Sequence, residues 1–277
     1  MTAAGGMSGE MVLSNDDFLK LKKYIYDNLG INVDQSKREM LSTKIDKILR
    51  RKGLTDASAY IMQITTTNDI SEIHEFYNVI TTNTTDFFRE NDHFAYITSN
   101  IRKIIGDIPR ITQNREIRVW SSASSSGQEP VTLAMVLLEC LDPSVKVKIL
   151  ATDISEKVLK IAQRGFYSAN EINGIPQGLL QKYFTREEGG YTTLPQIKSV
   201  ISYRLFNLME PFSFKKSFDI IFCRNVMIYF DNNIQQQLLD KFYAHLVPGG
   251  LLFIGHSESL FNKKHMYKTV IPAIFQK

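Results

Sequence analysis

Polar side chains that could hold a ligand follow apolar, strand-like runs in the second half of the chain. The run KILATD ends in Asp153, whose carboxylate could accept hydrogen bonds from both hydroxyls of a ribose, and FDIIFCRN ends in the polar Asn225. In VWSSASSSGQEP, seven small residues from Ser121 to Gly127 separate an apolar run from an aliphatic helical stretch. Ligands of open α/β sheets bind outside the carboxyl ends of the strands, and a bulky turn would keep them from the main chain. These stretches therefore predict one ligand site.

The residue types at this turn favour a particular ligand class. A serine-rich loop by itself fits a tight turn without any ligand, and a carboxylate after the second strand suits either NAD or an adenosyl ligand. A pyrophosphate prefers a helix N-terminus without an acid, whereas Glu129 stands at this one. A sulfonium and an α-ammonium group suit acidic neighbours better. The turn therefore favours S-adenosylmethionine over NAD.

Periodicity divides the chain into two parts. From Asn15 to about Glu90, apolar residues recur at helical spacing, which predicts an all-α domain over 15–90 after a flexible tail over 1–14. From Ile117 onward, short apolar runs alternate with helical stretches, which predicts a mostly parallel sheet covered by helices within 91–277. About fifty residues after Gly165 are too many for a simple crossover, so we expect a small inserted β-subdomain over about 166–206.

Composition indicates an ordinary globular protein and excludes several classes. Of the 277 residues, 43% are hydrophobic and 22% are charged, and the formal net charge is +4. No apolar run approaches the roughly 20 residues that cross a bilayer, and the first residues do not resemble a secretion signal. Cys140 and Cys223 lack metal-site spacing, so we expect a cytoplasmic protein without a metal.

Several longer motifs together resemble those of the CheR chemotaxis protein-glutamate methyltransferases. They are TTNTTDFFRE at 81–90, VWSSASSSGQEP, ATDIS, CRNVMIYFD at 223–231 and GHSESL at 255–260, within a match over about 18–275. The resemblance implies a class I S-adenosylmethionine-dependent methyltransferase, with a Rossmann-like α/β domain, an all-α N-terminal domain and an inserted β-subdomain. It also implies methyl transfer to glutamate side chains of chemoreceptors, giving glutamyl methyl esters and S-adenosylhomocysteine.

The resemblance also implies which residues bind the cofactor. The Asn-x-Thr-x-x-x-Arg pattern and the later motifs assign cofactor contacts to Asn83, Thr85, Arg89, Glu129, Asp153, Asn207, Leu208, Asn225 and Val226. Ser124 and Gln128 depart from residues frequent in the family, and Glu129 is retained.

Methyl transfer from a sulfonium to a carboxylate is an in-line displacement that needs no general base, since glutamate is ionised at neutral pH. Arg89 is expected to orient the substrate carboxylate by a forked contact. Tyr229 is expected to place its ring or hydroxyl beside the methyl group, although ordinary core packing would also fit it. We interpret GHSESL as a structural turn, because the adjacent His256, Ser257 and Glu258 cannot converge as a hydrolase triad.

A basic helical stretch predicts how the substrate docks. Between Lys37 and Lys52, seven basic residues stand against Glu39 and Asp46. Lys44, Lys47 and Arg51 are expected to share one face and to attract the glutamate-rich methylation helices of receptors. In some family members the β-subdomain also grips a receptor C-terminal peptide, which the sequence leaves open here. A monomer is the default expectation.

Two alternatives remain at this point. A methyltransferase of nucleic acids, or of other proteins, would use the same fold. Against nucleic acids, CRNVM lacks the prolines of motifs that methylate amino groups of bases, no exposed cysteine nucleophile is evident, and one basic helix offers few phosphate contacts. A non-catalytic S-adenosylmethionine-binding module would retain the same binding residues.

Overall fold

The structure, a computed structural model, describes residues 12–260 and 263–277. The tail predicted over 1–14 lies outside the described residues up to position 11. Leu13 and Ser14 differ from that prediction, because Leu13 is buried and its N–H donates to Ser42 Oγ at 3.1 Å. Ser14 accepts from the N–H of Asp17 and so caps the first helix. Two structural units meet in sequence between Thr82 and Asn83.

The first unit is helical, as predicted. Its elements are α1 (Asn15–Leu29), a 3₁₀ turn (Gln35–Lys37), α2 (Arg38–Lys52), α3 (Ala57–Thr66) and α4 (Ile70–Ile80). The side chains of Asp56 and Asp69 cap α3 and α4. One apolar stripe of each helix is buried, which includes Ile25 on α1 and Ile45 on α2.

The second unit contains a seven-stranded sheet in the order β6-β2-β1-β7-β8-β10-β9 and a three-stranded sheet in the order β3-β5-β4. Its strands are β1 (Glu116–Ser121), β2 (Lys146–Asp153), β3 (Phe166–Ser168), β4 (Phe184–Glu187), β5 (Gly190–Thr193), β6 (Ile201–Leu205), β7 (Phe218–Cys223), β8 (Leu246–Ile254), β9 (Lys268–Ile271) and β10 (Ile274–Gln276). Its helices are α5 (Asp92–Asp107), α6 (Pro109–Asn114), α7 (Gln128–Cys140), α8 (Glu156–Arg164), α9 (Gln177–Tyr183), α10 (Pro195–Lys198) and α11 (Asn232–His245).

The first five strands of the larger sheet, from β6 to β8, are parallel, and β10 and β9 add an antiparallel edge. All six residues of β7 are buried, since helices cover a parallel sheet on both faces. The carboxyl ends of β1, β2, β6, β7 and β8 therefore lie along one edge of the sheet. Along the described chain, no helix is long and apolar enough to cross a membrane.

The inserted β-subdomain is present, but it is shorter than predicted. The three-stranded antiparallel sheet spans residues 166–193, whereas β6 belongs to the larger sheet and pairs in parallel with β2, from Ile149 with Ile201 to Asp153 with Leu205. The prediction of a subdomain over about 166–206 was therefore wrong for β6, which lies within those bounds but belongs to the larger sheet. Its periodicity could not reveal this, because strand pairing is a long-range choice.

The segment 83–90 belongs to the second unit, so the helical domain predicted over 15–90 ends earlier than expected. The buried ring of Phe87 makes edge contacts with Tyr167 at 4.8 Å and Phe184 at 5.9 Å between centroids. The N–H of Phe88 donates to Thr132 Oγ1 on α7. These contacts tie the segment to the β-subdomain and to the helix that follows the small-residue turn.

Candidate active site

The small-residue turn after β1 is packed tightly against its neighbours. The N–H of Ser122 donates to Phe222 O at 2.9 Å, and the N–H of Ser124 donates to Thr152 O at 2.8 Å. Ser125 has a φ of 48° and Gly127 a φ of 99°, so Gly127 is not alone in taking a left-handed conformation. Larger side chains would not fit, because Ser122, Ser124 and Ser125 are all buried between two strand ends.

Asp153, at the end of β2, holds this turn. Its Oδ2 accepts from the N–H of Ser125 at 2.9 Å and its Oδ1 accepts from the N–H of Ser155 at 2.9 Å. Ser125 Oγ in turn donates to Asn83 O at 2.9 Å, which connects the turn to the segment 83–90. Burial raises the pKa of Asp153 above its ordinary value, and the backbone N–H groups oppose that rise.

Arg224 connects two carboxylates at the centre of the site. Its side chain is almost fully buried, and its Nη1 lies 3.1 Å from Glu129 Oε2 while its Nη2 lies 3.0 Å from Glu90 Oε2. Nη2 also donates to the carbonyl oxygen of Arg89. The guanidinium carbon lies 5.4 Å from the ring centre of Phe94, a cation–π contact. Arg224 therefore joins the end of β7 to the start of α7 and to the segment 83–90.

The two carboxylates that share Arg224 differ in acidity. Burial raises the pKa of Glu129, although Arg224 and a 2.7 Å hydrogen bond from Ser121 Oγ oppose the rise. Burial acts in the same direction on Glu90, but the side-chain amide of Asn225 and the charge of Arg224 outweigh it and lower its pKa. With both acids ionised, the three side chains carry a net charge of −1. Such a cluster is suited to a cationic ligand.

The remaining predicted site residues lie on the same edge of the sheet. Asn207 and Leu208 follow β6, and Asn207 Oδ1 accepts from the N–H of Met209 at 3.0 Å. Asn225 and Val226 follow β7, and Asn225 has a φ of 56° with its Nδ2 3.0 Å from Glu90 Oε1. Tyr229 ends the 3₁₀ turn Met227–Tyr229 and is partly exposed.

Arg89 and Thr85 lie on the segment 83–90, and both are partly buried. The guanidinium of Arg89 donates from Nη1 to Thr84 O at 2.9 Å. This contact uses one of its five N–H donors, so the fork retains donors for a carboxylate. Phe88 and Glu90, on either side of Arg89, have φ values of 54° and 52°. The backbone here is in a conformation that non-glycine residues seldom adopt.

Sequence reasoning missed Arg224, Glu90 and Glu258. Each of them lies inside one of the motifs given above, but a charged residue beside a strand end is ordinarily solvated. The partners are also distant in sequence, since Glu129 lies 95 positions from Arg224. The signal that could have found Arg224 is its place directly after a fully apolar strand. An arginine at such a position is buried only with acidic partners.

A second cluster of metal-ligand types lies beside this one. Glu90, His93 and His256 bring possible ligand atoms within 4.8 Å of one another, and both ring nitrogens of the buried His93 lack a hydrogen-bond partner. Burial, with the charge of Arg224, lowers the pKa of His93 to about 4, so the ring is neutral. Both oxygens of Glu90 already accept hydrogen bonds, and the Arg224 cation opposes a second cation. The donor set therefore fits a metal poorly, and the absence of a metal stays a prediction.

The donor and acceptor chemistry fits an adenosyl cofactor. Asp153 accepts from the backbone N–H groups of Ser125 and Ser155, and Glu129 accepts from Ser121 Oγ and from Arg224. A carboxylate can accept about four hydrogen bonds. Both acids thus keep capacity for hydroxyl or ammonium donors. Ser124 Oγ is buried without a partner, which also leaves one hydroxyl at the turn for a ligand.

The predicted docking residues lie on α2 of the first unit, and two of them have internal partners. Lys44 Nζ donates to the carbonyl oxygens of Ile80 and Thr81 at the end of α4, and burial lowers its pKa. Arg51 lies 2.6 Å from Glu75 Oε1. Lys47 is exposed. Of the three residues, Lys47 is the one whose charge is presented to solvent without such a contact.

We expect cofactor affinity to depend on the protonation of Glu129. Its raised pKa means that it loses its charge at a higher pH than an ordinary glutamate, so affinity for S-adenosylmethionine should fall as pH decreases. Calorimetric titrations from about pH 8 to about pH 5 should show this fall in the wild type. Glu129→Gln should bind more weakly near neutral pH and vary less with pH. Equal pH profiles for the two proteins would contradict the assignment of this dependence to Glu129.

The mostly parallel sheet in this strand order, with antiparallel β10 between β8 and β9, a small-residue turn after β1 and an acid at the end of β2, fits a class I S-adenosylmethionine-dependent methyltransferase. Residues 16–81 match the family model described as CheR methyltransferase, all-alpha domain, and residues 83–274 match CheR methyltransferase, SAM binding domain. The chain therefore belongs to the CheR methyltransferase family.

Relatives match along nearly the whole chain. The chemotaxis protein methyltransferase of Borreliella burgdorferi is 36% identical over 270 residues, covering 96% of this chain and 95% of the relative. That of Escherichia coli is 36% identical, covering 91% and 87%. The chemotaxis protein methyltransferase 2 of Pseudomonas aeruginosa is 32% identical, covering 96% and 94%.

Proposed function

We propose that this protein transfers the methyl group of S-adenosylmethionine to glutamate carboxylates on the methylation helices of chemoreceptors, in the cytoplasm, during sensory adaptation. The products are glutamyl methyl esters and S-adenosylhomocysteine. The observation that carries the proposal is the match of both units, not of the cofactor domain alone, to chemotaxis protein methyltransferases. The acidic cluster at the carboxyl edge of the sheet supports it independently.

The cofactor contacts are assigned by chemistry. Asp153 accepts the ribose hydroxyls, and Glu129 accepts the α-ammonium group, which brings the net charge of the Glu90, Glu129 and Arg224 cluster to zero. Asn83 and Thr85 contribute from the segment 83–90. The residues that follow β6 and β7 flank the adenine and methionine parts, and they are Asn207, Leu208, Asn225 and Val226.

The residues of the chain need only align and desolvate the reactants. S-adenosylmethionine supplies a methyl group bonded to a positively charged sulfur. Arg89 holds one oxygen of the substrate glutamate so that the other oxygen attacks the methyl carbon in line with the departing sulfur. The bond to sulfur breaks, its electron pair stays on sulfur, and no proton moves. Tyr229 places its ring or hydroxyl beside the methyl group, where it excludes water.

The product chemistry gives a direct test. The protein is incubated with methyl-labelled S-adenosylmethionine and a receptor cytoplasmic fragment, and the pH is then raised. A glutamyl methyl ester releases volatile labelled methanol, whereas N-methyl and C-methyl products retain the label. A fragment with glutamine at the methylation positions is the matched control and should release none. Label that remains after base treatment, or that never reaches the receptor, would refute the proposal.

Receptor docking by α2 is tested best at Lys47, since Lys44 and Arg51 have internal partners. Lys47→Glu should raise the KM for the receptor about threefold at low ionic strength, the effect of one exposed charge pair. The difference should shrink at high salt while kcat is unchanged. Lys20→Glu changes the net charge equally on α1 and should leave the KM near wild type. Equal KM values for the two variants would remove α2 from the docking surface.

The β-subdomain is proposed to bind a C-terminal peptide of the receptor. Strand β4 is an edge of the three-stranded sheet, and its residues 185–187 are exposed, so its backbone can pair with an added strand. Calorimetric titration with such a peptide tests this tether.

Sedimentation of the free protein tests the predicted monomer.

A further inference from the structure

Glu258 makes an unusual set of contacts just after β8. Its carboxylate accepts five backbone N–H groups, a number that few carboxylates reach. Its Oε1 accepts from Val226 at 3.0 Å, Met227 at 2.7 Å and Ile228 at 3.3 Å, and its Oε2 accepts from Asn225 at 3.0 Å and Gly255 at 2.6 Å. Four of the five donors are consecutive residues of the loop after β7. The stretch GHSESL is thus more than the structural turn inferred from the sequence.

The loop 225–228 takes its shape around this carboxylate. Four consecutive N–H groups that converge on one point repel one another unless an anion lies there. Asn225 begins the loop with a φ of 56°, which disfavours the fold unless surrounding contacts compensate. The last two residues of the loop, Met227 and Ile228, begin the 3₁₀ turn that ends at Tyr229. Removing the anion would therefore release Asn225, Val226 and Tyr229 together.

Two further features hold the carboxylate of Glu258 close to the loop 225–228. The N–H of Glu258 donates to Gly255 O at 2.9 Å, which closes the turn that presents the carboxylate. A Cβ at Gly255 would lie 2.6 Å from Asn225 Nδ2 and 2.9 Å from Asn225 N, so only glycine allows the approach. Burial raises the pKa of Glu258, and the hydrogen bonds from the backbone N–H groups oppose that rise. Because all five partners are donors, the ionised carboxylate is the form that fits.

We propose that Glu258 is a positioning residue for methyl transfer, an internal anion that holds the loop 225–228 in the conformation that places Asn225 and Val226 at the cofactor and Tyr229 at the methyl group. The inference rests on the proposed function, because the roles of those three residues belong to it. In this proposal Glu258 acts through those three residues and not by a contact of its own with cofactor or substrate.

The surroundings of Glu258 permit a test by chemical rescue. A cavity of about 310 Å³ adjoins its carboxylate and is lined in part by Met227, Ile228, Gln235 and Ser257. In Glu258→Ala, a small carboxylate such as formate can enter from this cavity and accept the same N–H groups. A merely structural side chain would not be replaced in this way.

The experiment compares Glu258→Ala and Glu258→Gln with the wild type, and it measures calorimetric affinity for S-adenosylmethionine, turnover with receptor fragment, and thermal unfolding. Glu258→Ala should lose about 100-fold in kcat/KM, the effect of an ångström-scale displacement of site residues. Formate should raise the kcat/KM of Glu258→Ala at least about tenfold. Glu258→Gln keeps the volume of the original side chain and turns an amide N–H toward backbone donors, so it should be impaired and formate should not rescue it. Asp240→Ala removes an exposed carboxylate from α11 and should behave as wild type, with or without formate.

The outcomes separate this inference from the proposed function. A wild-type protein that does not bind S-adenosylmethionine refutes the proposed function. A wild type that binds and methylates, together with a Glu258→Ala variant of unchanged kcat/KM, refutes the positioning role. Activity that formate does not restore in a folded Glu258→Ala protein also refutes it. If Glu258→Ala does not fold, the test rests on the kcat/KM of Glu258→Gln. A wild-type value for that variant would overturn the proposal.

Discussion

Arg224→Ala is expected to have the largest effect on the protein, on stability and on activity together. The substitution leaves the mostly buried Glu129 and Glu90 without their cation, and such a loss typically costs about 3 kcal/mol of unfolding free energy. It also frees the carbonyl oxygen of Arg89, so the residue proposed to orient the substrate loses its support. Chemical denaturation and calorimetric titration with S-adenosylhomocysteine should report both losses.

Arg118→Ala is the matched control for this prediction. Arg118 is also mostly buried and lies 2.8 Å from Glu116, but it stands at the amino end of the sheet. Its removal should lower stability without weakening cofactor affinity in the folded protein. Arg224→Lys keeps the charge but cannot reach both carboxylates and the carbonyl, so it should recover only part of the activity. Wild-type stability and affinity in Arg224→Ala would contradict this account of the site.

Asp153→Asn should abolish most of the affinity for S-adenosylmethionine. Oδ2 of Asp153 accepts from the N–H of Ser125 and Oδ1 from the N–H of Ser155, whereas the amide of asparagine has one oxygen and can accept at only one of these two positions. The other N–H would face an amide donor, and the ribose would lose a charge-assisted acceptor. A loss of about 2 kcal/mol is expected for one such bond, which corresponds to roughly 30-fold in the dissociation constant.

Asp219→Asn tests whether this loss is specific to the carboxyl edge. Asp219 is fully buried and accepts from Arg110 Nε and from the N–H of Arg118, near the start of β7. Its substitution should destabilise the fold and leave the affinity of the folded protein unchanged. Equal affinity losses in Asp153→Asn and Asp219→Asn would mean that Asp153 acts through stability alone.

The elements of the fold were largely predictable, since they depend on local periodicity. The helical stripes of 15–80 and the apolar runs of β1, β2, β7 and β8 were located from the sequence. The place of β6 was not, because Ile201 pairs with Ile149 across fifty residues that include the inserted subdomain. The segment 83–90 was assigned to the helical part because its attachment depends on Phe87, whose ring packs on distant Tyr167 and Phe184.

The sequence by itself determined which side chains stand at strand ends or at the start of the next helix. It thereby placed Asp153 and Asn225, with Glu129 at the start of α7, on one edge of a parallel sheet. This follows from alternation of strands and helices, which puts every parallel strand end on the same side. Only the tertiary structure decided which charges neutralise one another. Arg224 reaches Glu90 across 134 positions, and Lys44 is engaged at the end of α4, because ion pairs and caps depend on distances that no local pattern records.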